Sequence, residues 1–287
     1  MKTVFVAAYD TEAADRCRKA CERIVEVHHE MNVPGTFFIV SKLLEGAERT
    51  DYKRLLDAPK FEIASHSATH PLLRDHPALD GKGVSWEQVQ TEVRGSKATI
   101  EDCFGRPCIG FRTPCGFEDG LGDRALIELV AQSGYAYSSS VGWGPKYSLP
   151  VPILPVRTYA AEGCPDLWEY PLQGWHENVL KGHNATPGRF LLWPPVYPDH
   201  VVTRFVKTPE EEFEVHRYFI DKAIELEHEY ATLIWHPWSL GKFDPEMRML
   251  KLCFEYVRAR GLECITFAEL HARQGRMPAR TLAAVQA

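Results

Sequence analysis

His66 and His70 stand four residues apart in Phe61-Glu-Ile-Ala-Ser-His-Ser-Ala-Thr-His-Pro71. On a helix that spacing is one turn, so both imidazoles can address a single ion. The strand-like run Phe61 to Ala64 precedes them, which places the pair where a strand gives way to a loop or helix. Near the start, the buried-strand pattern Val4-Phe-Val-Ala-Ala-Tyr-Asp-Thr-Glu12 ends in two carboxylates, Asp10 and Glu12. Residues two apart in an extended segment share a face. One of these acids can complete a two-histidine, one-carboxylate site that leaves positions open for water and substrate, as catalytic zinc requires. The other would remain as a general base. Capping of the helix that follows is the plainer role for an acid here. It accounts for one carboxylate, but not for both together with the histidine pair.

The elements that must position these groups alternate. Lys2 to Ala8 reads as a strand, Thr11 to Met31 as a helix and Thr36 to Val40 as a strand, followed by a helical region to about Leu56 and the Phe61 strand. Trp86 to Phe104 is an amphipathic helix, entered through Ser85 with Gln88 three residues on, a capping-box pattern. Cys108 to Phe111 reads as a strand, and Asp123 to Ser133 as a helix closed by Gly134. Tyr135 to Ser138, Ile153 to Leu154 and Leu167 to Tyr170 read as short strands. Glu210 to Glu229 is a long helix, Thr232 to Trp235 a buried strand, and Asp244 to Arg260 a helix ended by Gly261. Cys264 to Thr266 makes a final strand before a short helix to Ala272. Such alternation predicts parallel strands with helices outside. Acids at strand ends put the site at the C-terminal rim of a barrel.

Two segments break the rhythm, at about residues 139–152 and 173–209, as loop insertions in a single domain spanning 1–287. Loops of that length serve as lids, binding loops or subunit contacts. The second carries Trp193-Pro-Pro-Val-Tyr-Pro198 without a helix or strand of its own, which predicts a homo-oligomer contact or a cover over the site. A net charge of −6 with mixed signs and no basic run argues against a nucleic-acid partner. No apolar stretch approaches the roughly 20 residues of a membrane span. The first apolar run meets Tyr9 and Asp10 too early for a signal peptide, so a cytoplasmic protein is expected. The eight cysteines then read as reduced thiols, with Cys17 and Cys21 in the core of the first helix.

The order of motifs resembles the NodB-homology polysaccharide deacetylases, carbohydrate esterase family four, in the variant subgroup with acids two apart that includes peptidoglycan deacetylase-like and allantoinase-like members. Asp10-Thr-Glu12, His66-Ser-Ala-Thr-His70, Arg112-Thr-Pro-Cys-Gly116 and Leu233-Ile-Trp-His-Pro237 stand in the family's order, and Pro34 to Val40 resembles its second strand. The resemblance spans roughly residues 3 to 270. It implies an α/β fold, the irregular, incompletely closed (β/α) barrel of the NodB type.

It also implies roles. A divalent metal, zinc above all, would be held by Glu12, His66 and His70. Asp10 would be the base, Arg112 would orient it and hold it ionised, and His236 would protonate the departing nitrogen. The backbone N–H of Cys115 would face the oxyanion, with Pro114 and Trp143 lining the substrate site, although simple packing explains Trp143 as well. Three departures mark this chain: Glu12 replaces the usual Asp, Cys115 replaces a Tyr, and Tyr137-Ser-Ser-Ser-Val-Gly-Trp143 offers serines where the family places an Asp. The expected reaction is metal-dependent hydrolysis of a non-peptide C–N bond, in an N-acetylated sugar or small amide. A cyclic ureide or imide is the alternative, and a non-catalytic carbohydrate-binding protein a third class. Ordinary Asp and His values of about 3.9 and 6.5 bracket an acidic optimum, and a carboxylate near His236 would help keep that ring charged.

Overall fold

A computed structural model of the chain describes residues 2–13, 16–183 and 185–275. It begins with β1 (Val4–Val6), β2 (Ala8–Thr11), α1 (Arg16–Glu30), β3 (Gly35–Ile39), α2 (Glu48–Leu56), β4 (Phe61–Ser65) and α3 (Trp86–Phe104). Then come β5 (Gly110–Phe111), α4 (Arg124–Gln132), β6 (Tyr137–Ser138), β7 (Arg157–Tyr159) and β8 (Cys164–Glu169). The last part holds α5 (Glu177–Leu180), α6 (Pro209–Glu225), β9 (Tyr230–Thr232), α7 (Pro237–Phe243), α8 (Arg248–Ala259), β10 (Glu263–Cys264) and α9 (Phe267–Arg273). Two compact units result. One gathers Met1–Gly35, Trp143–Leu154 and Leu172–Ile265; the other gathers Thr36–Gly142, Pro155–Pro171 and the chain from Thr266 on.

In the first unit, β1 lies between β10 and β9, parallel to both, with Val4 opposite Tyr230 and Val6 opposite Thr232. Apolar residues on these strands bury against helix faces: Phe5 packs its ring on Trp235 and Phe254. The first strand does not stop at Ala8. β2 carries on to Thr11, because the polar residues that end the apolar run find buried partners. Tyr9 donates its hydroxyl to His28 Nε2 at 2.7 Å, which ties β2 to the buried side of α1. Cys17 and Cys21 are buried on that side, as expected, and all eight cysteines are free thiols. Thr11 therefore belongs to a strand, and residues 14 and 15 of the expected first helix lie outside the described residues.

The second unit orders its strands β3-β4-β5-β6-β8-β7. The pairs from β4 to β8 are parallel, and β7 closes the edge antiparallel to β8. Gly110 in β5 has no room for a side chain, since a Cβ there would collide with the phenol of Tyr137 across the sheet. α3 has its expected bounds, and Ser85 accepts from Gln88 N, but the Gln88 side chain turns to Glu92 instead of back to the cap. The capping box is thus half formed. Asp123 caps α4 by accepting from the N–H groups of Ala125 and Leu126.

Other expectations are corrected. Ile153–Leu154 is not a strand; the edge strand is β7, which begins at Arg157. The helix expected over Asp244–Arg260 is α8 alone, preceded by a separate α7 that starts at Pro237, a residue pre-set for a first helical position. α6 ends at Glu225, before Glu227 takes a positive φ of 51°. Segment 173–209 does contain a helix, the short α5. No helix among the described residues is long and apolar enough to cross a membrane.

Candidate active site

Parallel pairing in the first unit aligns three chain ends. Tyr9 bridges to Trp235 and His176 to Ile234, both in parallel register. Asp10 N donates to Trp235 O at 2.8 Å. Asp10, Glu177 and His236, each the next residue along, are thereby brought to one place. His236 is 6 % exposed and Asp10 5 %. The His236 Nδ1–H donates to Glu177 Oε2 at 2.8 Å, and its backbone N–H donates to Glu177 Oε1 at 3.2 Å. That leaves Nε2 turned toward Asp10, 3.9 Å from Oδ2. Glu12 accepts from the Trp238 indole N–H at 2.8 Å, which fixes one of its oxygens.

Burial alone would pull His236 down from 6.5. The Glu177 carboxylate, aided by Glu12 and Asp10, overrides this and raises it to about 10. Burial would likewise push Glu177 up, yet the charges of His236 and Lys181, with a bond from Ser239, hold it down to about 2. The pair is an imidazolium against a carboxylate.

In the second unit, β4, β5 and β6 end side by side. Ser65 pairs with Phe111, Arg112 N donates to Ser65 O at 2.8 Å, and Ser139 N donates to Phe111 O at 2.9 Å. His66, Arg112 and Ser139 therefore leave the sheet together. His66 and His70 do not occupy a helical turn. They sit in a loop where Ser67 and His70 take positive φ values of 66° and 65°, and this fold brings their ring centroids to 4.9 Å. His66 Nδ1–H donates to Arg112 O at 3.0 Å, which fixes the tautomer and the orientation of its ring. Arg112 is buried, stacked 3.8 Å above the ring of Phe38, and donates to the carbonyl and hydroxyl of Ser139 at 3.0 and 2.9 Å. Cys115 takes a φ of 65° in the turn after Pro114. Trp143, in the first unit, is 4 % exposed and packs on His176 and Phe190.

Sequence reasoning missed four supports. Glu177 lies in a segment without periodicity, so nothing singled it out beyond the expectation of some carboxylate near His236. Trp238 follows the Leu233–Pro237 motif, and nothing in the sequence ties its indole to Glu12. Ser139 is one of the serines standing where the family has an Asp, and it holds the arginine instead. Glu92, fully buried on α3, accepts from Thr69 N at 2.7 Å and from its hydroxyl at 2.6 Å, which pins the loop next to His70.

Comparison with known proteins bears on the fold and the family resemblance. The polysaccharide deacetylase family signature matches residues 3–138. No curated protein matches the chain by sequence. Among solved structures, one named as Puue allantoinase is 15 % identical, with a TM-score of 0.62 over 88 % of this chain and 72 % of that one. A family 4 carbohydrate esterase from Streptomyces lividans, in complex with acetate, is 10 % identical, with a TM-score of 0.53 over 92 % and 93 %. A family pseudoenzyme from Bacillus anthracis is 13 % identical, with a TM-score of 0.51 over 93 % and 65 %. The fold is the irregular, incompletely closed (β/α) barrel of the NodB type, and the resemblance to the NodB-homology polysaccharide deacetylases, carried by sequence over residues 3–138 and by fold over most of the chain, holds.

Proposed function

We propose that this chain is a divalent-metal-dependent hydrolase of a non-peptide C–N bond, with an N-acetylated sugar or small amide as substrate. The observation that carries the reading is a buried imidazole, His236, bonded through Nδ1 to Glu177 and turned toward a second carboxylate, Asp10. An amine leaves poorly unless it is protonated, and this arrangement supplies both a base and an acid.

Glu12, His66 and His70 would hold the ion; among the described residues they are the grouped side chains with metal-donor chemistry. The Nδ1 bond of His66 to a carbonyl suits a metal-binding histidine. One carboxylate and two imidazoles suit zinc. When bound, the ion polarises the acyl oxygen and acidifies water. Asp10 then accepts the proton of the attacking water, and the backbone N–H of Cys115 meets the oxyanion. His236 delivers a proton from Nε2 to the leaving nitrogen, and Arg112 keeps Asp10 oriented and ionised. The name of the allantoinase neighbour supports a second reading, opening of a cyclic ureide, which needs the same proton transfers. Assembly through segment 173–209 belongs to the proposal as well, because Trp193 there is 72 % exposed. Trp193→Ser should lower the mass seen by light scattering, and a monomeric wild type would remove this point.

The test is to screen metal-loaded protein against chitooligosaccharides, allantoin and cyclic imides, with variants alongside. Asp10→Asn should keep the ion and lose roughly 10²–10⁴ in rate. Glu12→Gln should weaken the ion itself. Full metal content in a His66→Ala/His70→Ala variant, or unimpaired turnover by Asp10→Asn, would sink the reading.

A further inference from the structure

Behind His236 lies a cluster of buried charge that no step above uses. Lys181 stands one helical turn after Glu177, and its side chain is wholly buried. Its Nζ is 2.9 Å from Glu212 Oε1 on α6, off the line of a well-formed hydrogen bond, and 3.9 Å from Glu177 Oε1. The ring of Phe243 lies 5.4 Å below the ammonium. Glu212 Oε1 is 3.4 Å from His216 Nε2, and the indole N–H of Trp235 donates to that same nitrogen at 3.4 Å. Trp235 precedes His236. Because His216 Nε2 accepts from the indole, it donates nothing to Glu212, and the line of charged groups behind His236 runs from Glu177 through Lys181 to Glu212.

Pairing explains why such a cluster can be buried. Each of the two acids, Glu177 and Glu212, has a basic side chain beside it, His236 and Lys181. Buried charge survives only when it is paired in this way. Glu177 divides its oxygens: Oε2 takes the imidazole, while Oε1 faces Lys181 and the His236 backbone N–H. Lys181 thus places a basic group beside one oxygen of the carboxylate that orients His236. It also tempers the hold of Glu177 on the proton that His236 must release. Glu212 in turn keeps the ammonium in place.

We propose that Lys181 and Glu212 are positioning residues for proton delivery by His236, acting through Glu177. The inference rests on the hydrolase reading above. Lys181→Met combined with Glu212→Gln removes the ammonium and its counter-charge together, so no buried charge is stranded. Lys181→Arg keeps the charge. Full-length, metal-loaded protein would be assayed on N,N′-diacetylchitobiose and on p-nitrophenyl acetate, whose leaving group needs no proton. The double variant should lose roughly tenfold or more in kcat on the amide, a share of the 10²–10⁴ that a positioned acid supplies. KM and the ester rate should hold, and Lys181→Arg should recover most of the loss. The far-downfield proton resonance of His236 Nδ1–H, assigned by its absence in Glu177→Gln, should move in the double variant. Equal losses on amide and ester, or an unmoved resonance, would overturn the proposal. A wild type inert on both substrates would instead defeat the hydrolase reading, and the resonance alone then decides whether Lys181 and Glu212 position His236.

Discussion

At His236 two opposing forces meet, and their balance sets a pH dependence that residue type alone does not give. Burial disfavours the imidazolium, but Glu177 in contact, with Glu12 and Asp10, carries the group to about 10. A general acid works only while protonated, so the alkaline limb of amide hydrolysis should lie well above the ordinary histidine value. The shift at His236 moves the expected optimum up from the acidic value that unperturbed groups give. An ion held by Glu12 would draw the limb back somewhat, because it offsets one of the carboxylates. Stability follows the same signs. His236, raised above 6.5, contributes fully below that pH and loses its contribution as pH climbs through about 10. Glu177, depressed below 4.5, contributes above that pH and loses it as pH falls through about 2. Between those ordinary values the pair is at full strength. Glu177→Gln breaks a buried pair and should cost about 3 kcal/mol near pH 6, in metal-stripped protein, by denaturant unfolding. Wild type should lose stability as pH rises from about 6.5 toward about 10 while the variant stays level. Parallel losses in both would show that the pair is not charged.

At the level of elements, strand ends deliver the functional groups and neighbouring helices hold them. The loop from His66 to His70 shows this best, since its left-handed turns are not self-supporting and Glu92 on α3 anchors it at Thr69. Glu92→Ala should therefore weaken metal affinity by roughly ten- to hundredfold, as loss of outer support around a metal ligand does. Calorimetric titration with zinc on folded variant would measure it; an unchanged affinity would make Glu92 a stabiliser of α3 alone. Glu92 was invisible in the sequence because an acid in the middle of an amphipathic helix reads as a solvent-facing residue. The elements themselves were largely legible. α3 and α4 announce themselves by periodicity and by Ser85 and Asp123 at their caps. The site motifs were legible for a similar reason: Asp10, His66, Arg112 and His236 each follow an apolar run. What was not legible depended on tertiary partners. α5 has four residues, all buried, with charges at Glu177 and Lys181 that only α6 and His236 make tolerable. β7 has no apolar run and exists only by pairing with β8. α7 begins at a proline and contains Gly241, both of which read as loop.

For the whole molecule, the relevant fact is how far apart in sequence the proposed ligands stand. Glu12 and the loop that carries His66 and His70 stand far apart in the chain, so the unfolded chain offers no complete site and an ion would bind the native state. Binding of that kind adds about 2.7 kcal/mol to stability at a hundredfold excess over Kd, and the gain grows with concentration. A chain of net charge −6 also attracts divalent cations loosely over its surface, with a small effect that salt screens. The two cases separate cleanly. Zinc added to chelator-treated wild type should raise Tm by several degrees in about 0.15 M salt, and removing it again should reverse the shift. His66→Ala/His70→Ala has the same carboxylates and nearly the same surface charge, so it retains the loose attraction and should lose the shift. Glu12→Gln should keep part of it, because both imidazoles remain while one anionic donor is gone. An equal rise in Tm for wild type and the double histidine variant would mean that the stabilising cation sits elsewhere, and the metal assignment would fall with it.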